Sequence, residues 1–205
     1  MFSGATSLEE VNLDGFDLTS STNESSIIGR MFYGASNIKK VSMKNWKIPE
    51  TFTNAIGCRV SNLCSENLEY IDVTNWNLSR AKKITGLFGS SYANEIKGLE
   101  TWDTTNIEDM INMFYEAKNV KSLDLSSFNT ENVTDMWGMF YNCTSLKTIL
   151  VSNKFKVEQV SSSNLMFSNA ISLVGGNGTT YDSNHTDKEY ARIDTSSSKG
   201  YFTGK

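Results

Sequence analysis

A Met-Phe pair recurs along this chain at near-constant spacing. It stands at Met1-Phe2, Met31-Phe32, Met113-Phe114, Met139-Phe140 and Met166-Phe167, with Leu87-Phe88 as a close variant. Between these pairs runs a second aromatic column: Phe16, Trp46, Trp76, Trp102, Phe128 and Phe155, spaced by 30, 30, 26, 26 and 27 residues. A period of about 20–50 residues is the mark of stacked repeats. Each unit is too small to bury its own apolar side, so rings at fixed register are expected to stack on their neighbours along one axis.

A short alternating segment precedes the second column. It reads Val11-Asn12-Leu13, Val41-Ser42-Met43, Ile71-Asp72-Val73 and Leu123-Asp124-Leu125. Apolar-polar-apolar is the period-2 pattern of a half-buried strand, so parallel strands are expected with Asn12, Ser42, Asp72 and Asp124 facing outward. In Ile149-Leu150-Val151 the aromatic follows one residue later, and a bulge is expected there. Ile96-Lys97-Gly98-Leu99 is irregular, with Lys97 where an apolar residue belongs. A second short strand or a turn is expected at Asn106–Met110 and Asn132–Met136. A small residue four positions after each consensus Met (Ala35, Ala117, Cys143, Ala170) predicts a tight helical turn. From Thr51 to Asn67 the Met-Phe pair is missing. The longer spacings imply insertions near Ser20–Ser26 and Pro49–Ile56. The pattern stops at Val174, where Gly175-Gly176-Asn177-Gly178 reads as a turn into a closing segment with strands near Tyr190–Ile193 and Gly200–Thr203. The expected fold is therefore a repeat solenoid of about 26-residue units, six or seven of them, over 1–173, with a C-terminal capping segment of the same domain over 174–205.

Composition removes several functions. The chain has 19 basic and 23 acidic residues, a net charge of −4 and no basic stripe, which argues against nucleic acid. Cys58, Cys64 and Cys143 form neither a zinc pattern nor an even disulfide set, and read as free thiols. No run of 18 apolar residues is present, so no membrane span is expected. Met1 is followed by a polar repeat rather than a signal peptide and also fills the repeat's Met position. A piece of a longer array, with its export signal elsewhere, is expected. His185, the single histidine, lies in a polar segment with Asp182 and Asp187, a weak metal set that reads as a solvated loop. It has no nucleophile elbow to serve. No cofactor and no metal site is expected.

The segment Met113-Phe114-Tyr115-Glu116-Ala117 through Val133-Thr134-Asp135-Met136 resembles the repeat of the BspA-like leucine-rich-repeat surface proteins, found also in mycoplasma lipoproteins of unknown function. The tail, with Leu173–Tyr181, Tyr190–Asp194 and Gly200–Thr203, resembles the segment that closes many such arrays. The resemblance implies a right-handed leucine-rich-repeat-like solenoid at a cell surface or in the extracellular space, and adhesion to host proteins or contact between cells. It carries over no catalytic and no ligand residue. The expected function is non-enzymatic protein-protein interaction by a monomer, through the outward stripe Asn12, Ser42, Asp72 and Asp124, with a host surface or matrix protein among the expected partners. Being mildly acidic, the stripe favours a basic partner. The alternatives are a carbohydrate-binding or polysaccharide-active β-solenoid, in which Asp72 and Asp124 would be the acids, and a structural spacer.

Overall fold

The computed structural model describes residues 2–20, 32, 34–53 and 65–205. Cys58 and Cys64, most of the segment lacking the Met-Phe pair, most of the Ser20–Ser26 insertion and the end of the Pro49–Ile56 insertion lie outside them. Seven short strands are described: β1 (Glu10–Asn12), β2 (Lys40–Ser42), β3 (Tyr70–Asp72), β4 (Glu95–Lys97), β5 (Ser122–Leu125), β6 (Thr148–Val151) and β7 (Phe202–Gly204). They form two all-parallel sheets, ordered β1-β2-β3-β4 and β5-β6-β7. Within each sheet every strand pairs with the next strand in sequence. Val11, Val41, Ile71 and Ile96 stand opposite one another, as do Leu123, Ile149 and Phe202. The alternation does what the sequence requires: Val11 and Leu13, Val41 and Met43, Ile71 and Val73, and Leu123 and Leu125 are all buried.

Both ring columns are buried ladders. In the first, Phe88–Phe114, Phe114–Phe140 and Phe140–Phe167 stack at centroid distances of 5.6, 5.7 and 5.5 Å. In the second, Phe16, Trp46, Trp76, Trp102 and Phe128 stack at 5.5, 5.5, 5.1 and 6.1 Å. A stacked aromatic pair adds about 0.5–1.5 kcal/mol beyond the area it buries. The tryptophans add a tether. The indole N–H of Trp46 donates to the Leu13 carbonyl, that of Trp76 to the Met43 carbonyl, and that of Trp102 to the Val73 carbonyl (2.8 Å). Each buried N–H thus finds its acceptor in the preceding unit, which is how a polar atom is tolerated in a ladder of rings.

Several local expectations give way to a different geometry. The turns around Met113-Phe114, Met139-Phe140 and Met166-Phe167 are not helical. Among the described residues the only helical turns are 3-10 turns at Leu99–Thr101 and Lys188–Tyr190. Instead, left-handed residues bracket the pair: Asn112 (φ 54°) and Glu116 (φ 57°) around Met113-Phe114, Gly138 and Asn142 around Met139-Phe140, and Leu165 (φ 62°) and Asn169 around Met166-Phe167. A right-handed helix cannot pass through such residues, so the chain turns sharply twice and the pair is held between the corners. The small Ala117, Cys143 and Ala170 remain, all buried. The second strand contracts to single parallel bridges, Lys83 to Asp109, Asp109 to Asp135 and Asp135 to Ser162.

The expected bulge at Ile149 is absent. β6 pairs with β5 in unbroken register from Thr148 to Val151, and the extra residue falls in the following turn. The same extra residue lies between Ile96 and Trp102, with another result. Lys97 is opposite Asp72 and therefore on the outward column, not the apolar one. Gly98 then takes φ 90° and leads into the 3-10 turn Leu99–Thr101, where the first sheet ends. A Cβ on Gly98 would lie 2.4 Å from the Thr74 backbone, so only glycine fits this close approach. The sheet hydrogen bonds stop between β4 and β5, yet the ring ladder crosses the gap from Trp102 to Phe128.

The C-terminal segment is held by β7 and by edge-on rings. Phe202 meets Phe155 (5.0 Å, 70°) and Phe167 (5.9 Å, 68°), and Tyr201 meets Phe167 (5.1 Å, 75°). Of the two strands expected here only the second forms. The first is a 3-10 turn followed by a single bridge from Ile193 to Phe202.

Candidate functional site

The outward column runs Asn12, Ser42, Asp72 and Lys97 along the first sheet, and Asp124, Leu150 and Thr203 along the second. All four predicted stripe residues are therefore on one strand face, but the charge of that face differs from expectation. Asp72 is buried, with 8% of its surface exposed. Its Oδ1 accepts from the Thr74 N–H (3.1 Å) and hydroxyl (2.6 Å), and its Oδ2 lies 3.2 Å from the Lys44 ammonium. Asp124 repeats the arrangement, accepting from the Ser126 N–H (3.1 Å) and pairing with Lys205. Asn12 accepts from the Asp14 N–H (2.9 Å), and the Ser42 hydroxyl donates to Asp14 (2.6 Å). At Asn12, Asp72 and Asp124 these are Asx-turns, in which the side chain satisfies the backbone N–H two residues on and fixes the corner after the strand; at Ser42 the Lys44 N–H is bound instead by Asp14 of the preceding unit (2.8 Å).

Partial burial alone would raise the pKa values of Asp72 and Asp124. The hydrogen bonds from Thr74 and Ser126, with the ammonium groups of Lys44 and Lys205, hold both below the usual carboxylate range. In return the carboxylates push Lys44 and Lys205 above the usual lysine value. Two ionised, neutralised carboxylates are the opposite of what a general acid needs, which is a pKa raised toward the working pH. The acidic stripe becomes a face of mixed charge, because sequence spacing did not reveal that Lys44 and Lys205 reach its carboxylates.

At the sheet break this face hollows into a groove of 570 Å³ lined by Asp72, Glu95, Lys97, Glu100, Lys121 and Asp124 among others. It brings together two of the four predicted residues, while Asn12 and Ser42 lie further along the first sheet. Lys97 crosses the groove wall, 3.6 Å from the centroid of the Tyr70 ring and 3.6 Å from Glu95. A second concavity of 770 Å³ is lined by Arg80, Lys82, Asn106, Glu108 and Asn132 among others. There Asn106 and Asn132 donate to the Ser79 and Thr105 carbonyls of preceding units (3.0 and 2.8 Å), so their amides are engaged in stacking.

Of the other candidate groups, Cys143 is a free thiol, buried, donating to the Phe114 carbonyl (3.0 Å), and burial pushes its pKa up to about 12. His185 is exposed and stacks on Tyr190 (4.2 Å, 17°). Among the described residues no three of His, Cys, Asp and Glu converge, and no helix is long and apolar enough to cross a membrane. One signal was present in the sequence and passed over. Asp17, Asn77, Asp103 and Asn129 each follow a column aromatic, and each accepts the backbone N–H two residues on, at 3.0–3.1 Å. Aromatic-Asx is a turn signal legible from residue type alone, with Ser or Thr two residues after the Asx in three of the four cases and Glu131 in the fourth.

Two parallel sheets threaded by stacked ring columns define a repeat-built, β-rich protein with almost no helix. The family model for a Mycoplasma protein of unknown function, DUF285, matches residues 58–178, more than half of the chain. The chain belongs to that family, which is related to the BspA-like repeat proteins. No curated protein and no solved structure matches it.

Proposed function

We propose that this chain is a non-enzymatic, leucine-rich-repeat-like right-handed solenoid, closed by its C-terminal segment, that binds a protein partner through the strand face at a cell surface or in the extracellular space. The groove at the sheet break is the observation that carries this reading. It presents Glu95 and Lys97 of β4, Glu100 of the 3-10 turn and Lys121 just before β5 around one concavity, beside strands whose other side is buried in the core. Interspersed charges of both signs on a rigid backing suit recognition of a partner with complementary charge, where they set register and association rate more than raw affinity. The interaction is therefore salt-sensitive. A host surface or matrix protein is the partner class to examine first.

The test compares wild type with a Lys97→Glu/Lys121→Glu variant for binding to immobilised matrix proteins, epithelial cells and intact bacteria. Saturable binding by wild type, weakened at least tenfold in the variant at unchanged melting temperature, supports the reading. Binding by neither protein to any of these surfaces, or equal binding by both, overturns it.

A further inference from the structure

The C-terminal segment carries a concavity of 730 Å³, within the ~300–1,000 Å³ that small-molecule sites occupy. It lies in the part of the chain where the repeat pattern stops, so stacking does not account for its residues. Tyr181 and Tyr190 line it, both half-buried, together with Asn177, Asp182, Thr195 and Lys199 among others. Most small-molecule pockets are chiefly apolar with a few polar groups. This one inverts the proportion: hydroxyl, amide, one carboxylate and one ammonium surround two phenol rings.

The walls are preorganised. Tyr181 and Tyr190 both pack on Tyr201, which is fully buried, at 6.3 and 5.0 Å. The Tyr201 hydroxyl accepts from the Asp182 N–H (3.0 Å) and so holds that residue's backbone. On the other side Asp194, itself buried, accepts from the N–H groups of Asn177 (2.8 Å) and Thr179 (2.9 Å), the Thr179 hydroxyl (2.7 Å) and the Gly200 N–H (3.3 Å). One carboxylate thereby ties the Gly-Asn-Gly turn to the chain end. Rigid walls reduce the ordering cost of binding.

A ligand for such a site must offer hydrogen-bonding groups around most of its edge and an apolar face for a ring. A phosphate or nucleotide is a poor match, because the lining holds a single cation, Lys199. An apolar molecule would strand the polar lining without partners. We propose that this concavity binds a saccharide, with a pyranose ring against Tyr181 and its hydroxyls on Asp182, Lys199, Thr195 and Asn177, while Tyr190, stacked by His185, forms the wall. The site is separate from the strand-face groove, so one can fail while the other stands.

Screening the full chain on an array of neutral, acidic and amino-sugar glycans, followed by calorimetry with the best glycan, tests this. Wild type is expected to bind a set of glycans sharing one terminal sugar. Lys199→Ala and Thr195→Ala, at exposed side chains, are each expected to weaken that binding at least fivefold, and Tyr181→Ala at least tenfold, while Lys97→Glu leaves it unchanged. Melting curves separate loss of a contact from loss of the fold. No glycan bound by wild type, or affinity unchanged in Lys199→Ala and Thr195→Ala together, overturns the proposal.

Discussion

The two sheets secure the same ring register by different means. In the first, units repeat every 30 residues from Phe16 to Trp76, and indole N–H groups tie Trp46, Trp76 and Trp102 to carbonyls of the preceding unit. Ion pairs also link neighbouring units there: Lys39 to Glu9 (2.9 Å), Lys40 to Glu10 (2.6 Å) and Lys47 to Asp17 (2.8 Å). In the second, the spacing falls to 26–27, the column rings are phenylalanines without a polar tether, and the end is held by β7 with Tyr201 and Phe202 edge-on to the last rings. Stacking sets the register in both. Polar tethers reinforce it within the first sheet, and the terminal segment reinforces it in the second.

The comparison breaks most visibly at the rings. Trp76→Ala removes a ring stacked on both sides and frees the Met43 carbonyl, and is expected to cost about 3–5 kcal/mol in urea unfolding. Phe155→Ala, at an 8% exposed ring met edge-on, is expected to cost less. Equal costs would mean that terminal closure secures the ladder as strongly as two-sided stacking.

Asp194→Ala leaves the N–H groups of Asn177, Thr179 and Gly200 without their carboxylate and should cost about 2–3 kcal/mol. Although burial opposes it, those hydrogen bonds hold the Asp194 pKa below the usual range. A depressed folded-state pKa gives stability that is fully present above the unfolded value near ~3.9 and is lost as pH falls through the folded value. Wild type and Asp194→Asn should therefore converge in stability as pH falls below the unfolded carboxylate value and through the depressed folded one, measured by unfolding at a series of pH values. A constant gap would show that the carboxylate's charge is irrelevant to closure.

Gly98→Ala drives a methyl into the Thr74 backbone at the sheet break and is expected to cost about 2 kcal/mol or more. A neutral result would mean that β4 and β5 can approach in another way. In the opposite direction, Leu165→Gly relieves a left-handed leucine and should raise stability by about 1 kcal/mol, read as a higher melting temperature. The smallest effect is expected for Lys40→Ala. Its pair with Glu10 is solvent-exposed, so the unfolding midpoint should barely move and any shift should vanish in high salt. A larger effect would make ion pairs, rather than rings, the first sheet's main tie.

The sequence alone determined the ring columns, the apolar triplets and the parallel register, because each is written in residue type at fixed spacing and every unit buries the same positions. It also placed Asn12, Ser42, Asp72 and Asp124 on one face. It did not reveal that Asp72 and Asp124 are neutralised by Lys44 and Lys205, since Lys205 is 81 residues from its partner. Nor could it reveal every left-handed corner: Asn112, Gly138, Asn142 and Asn169 are residue types that favour that conformation, but Glu116 and Leu165 are not, and there the neighbours in the stack impose it. The clearest division is the extra residue that β4 and β6 share before their aromatics. In both units it is the same sequence event. After β6 it disappears into a turn. After β4 it meets the Thr74 backbone at Gly98, ends the sheet and opens the groove, because the outcome depends on what the neighbouring unit leaves room for.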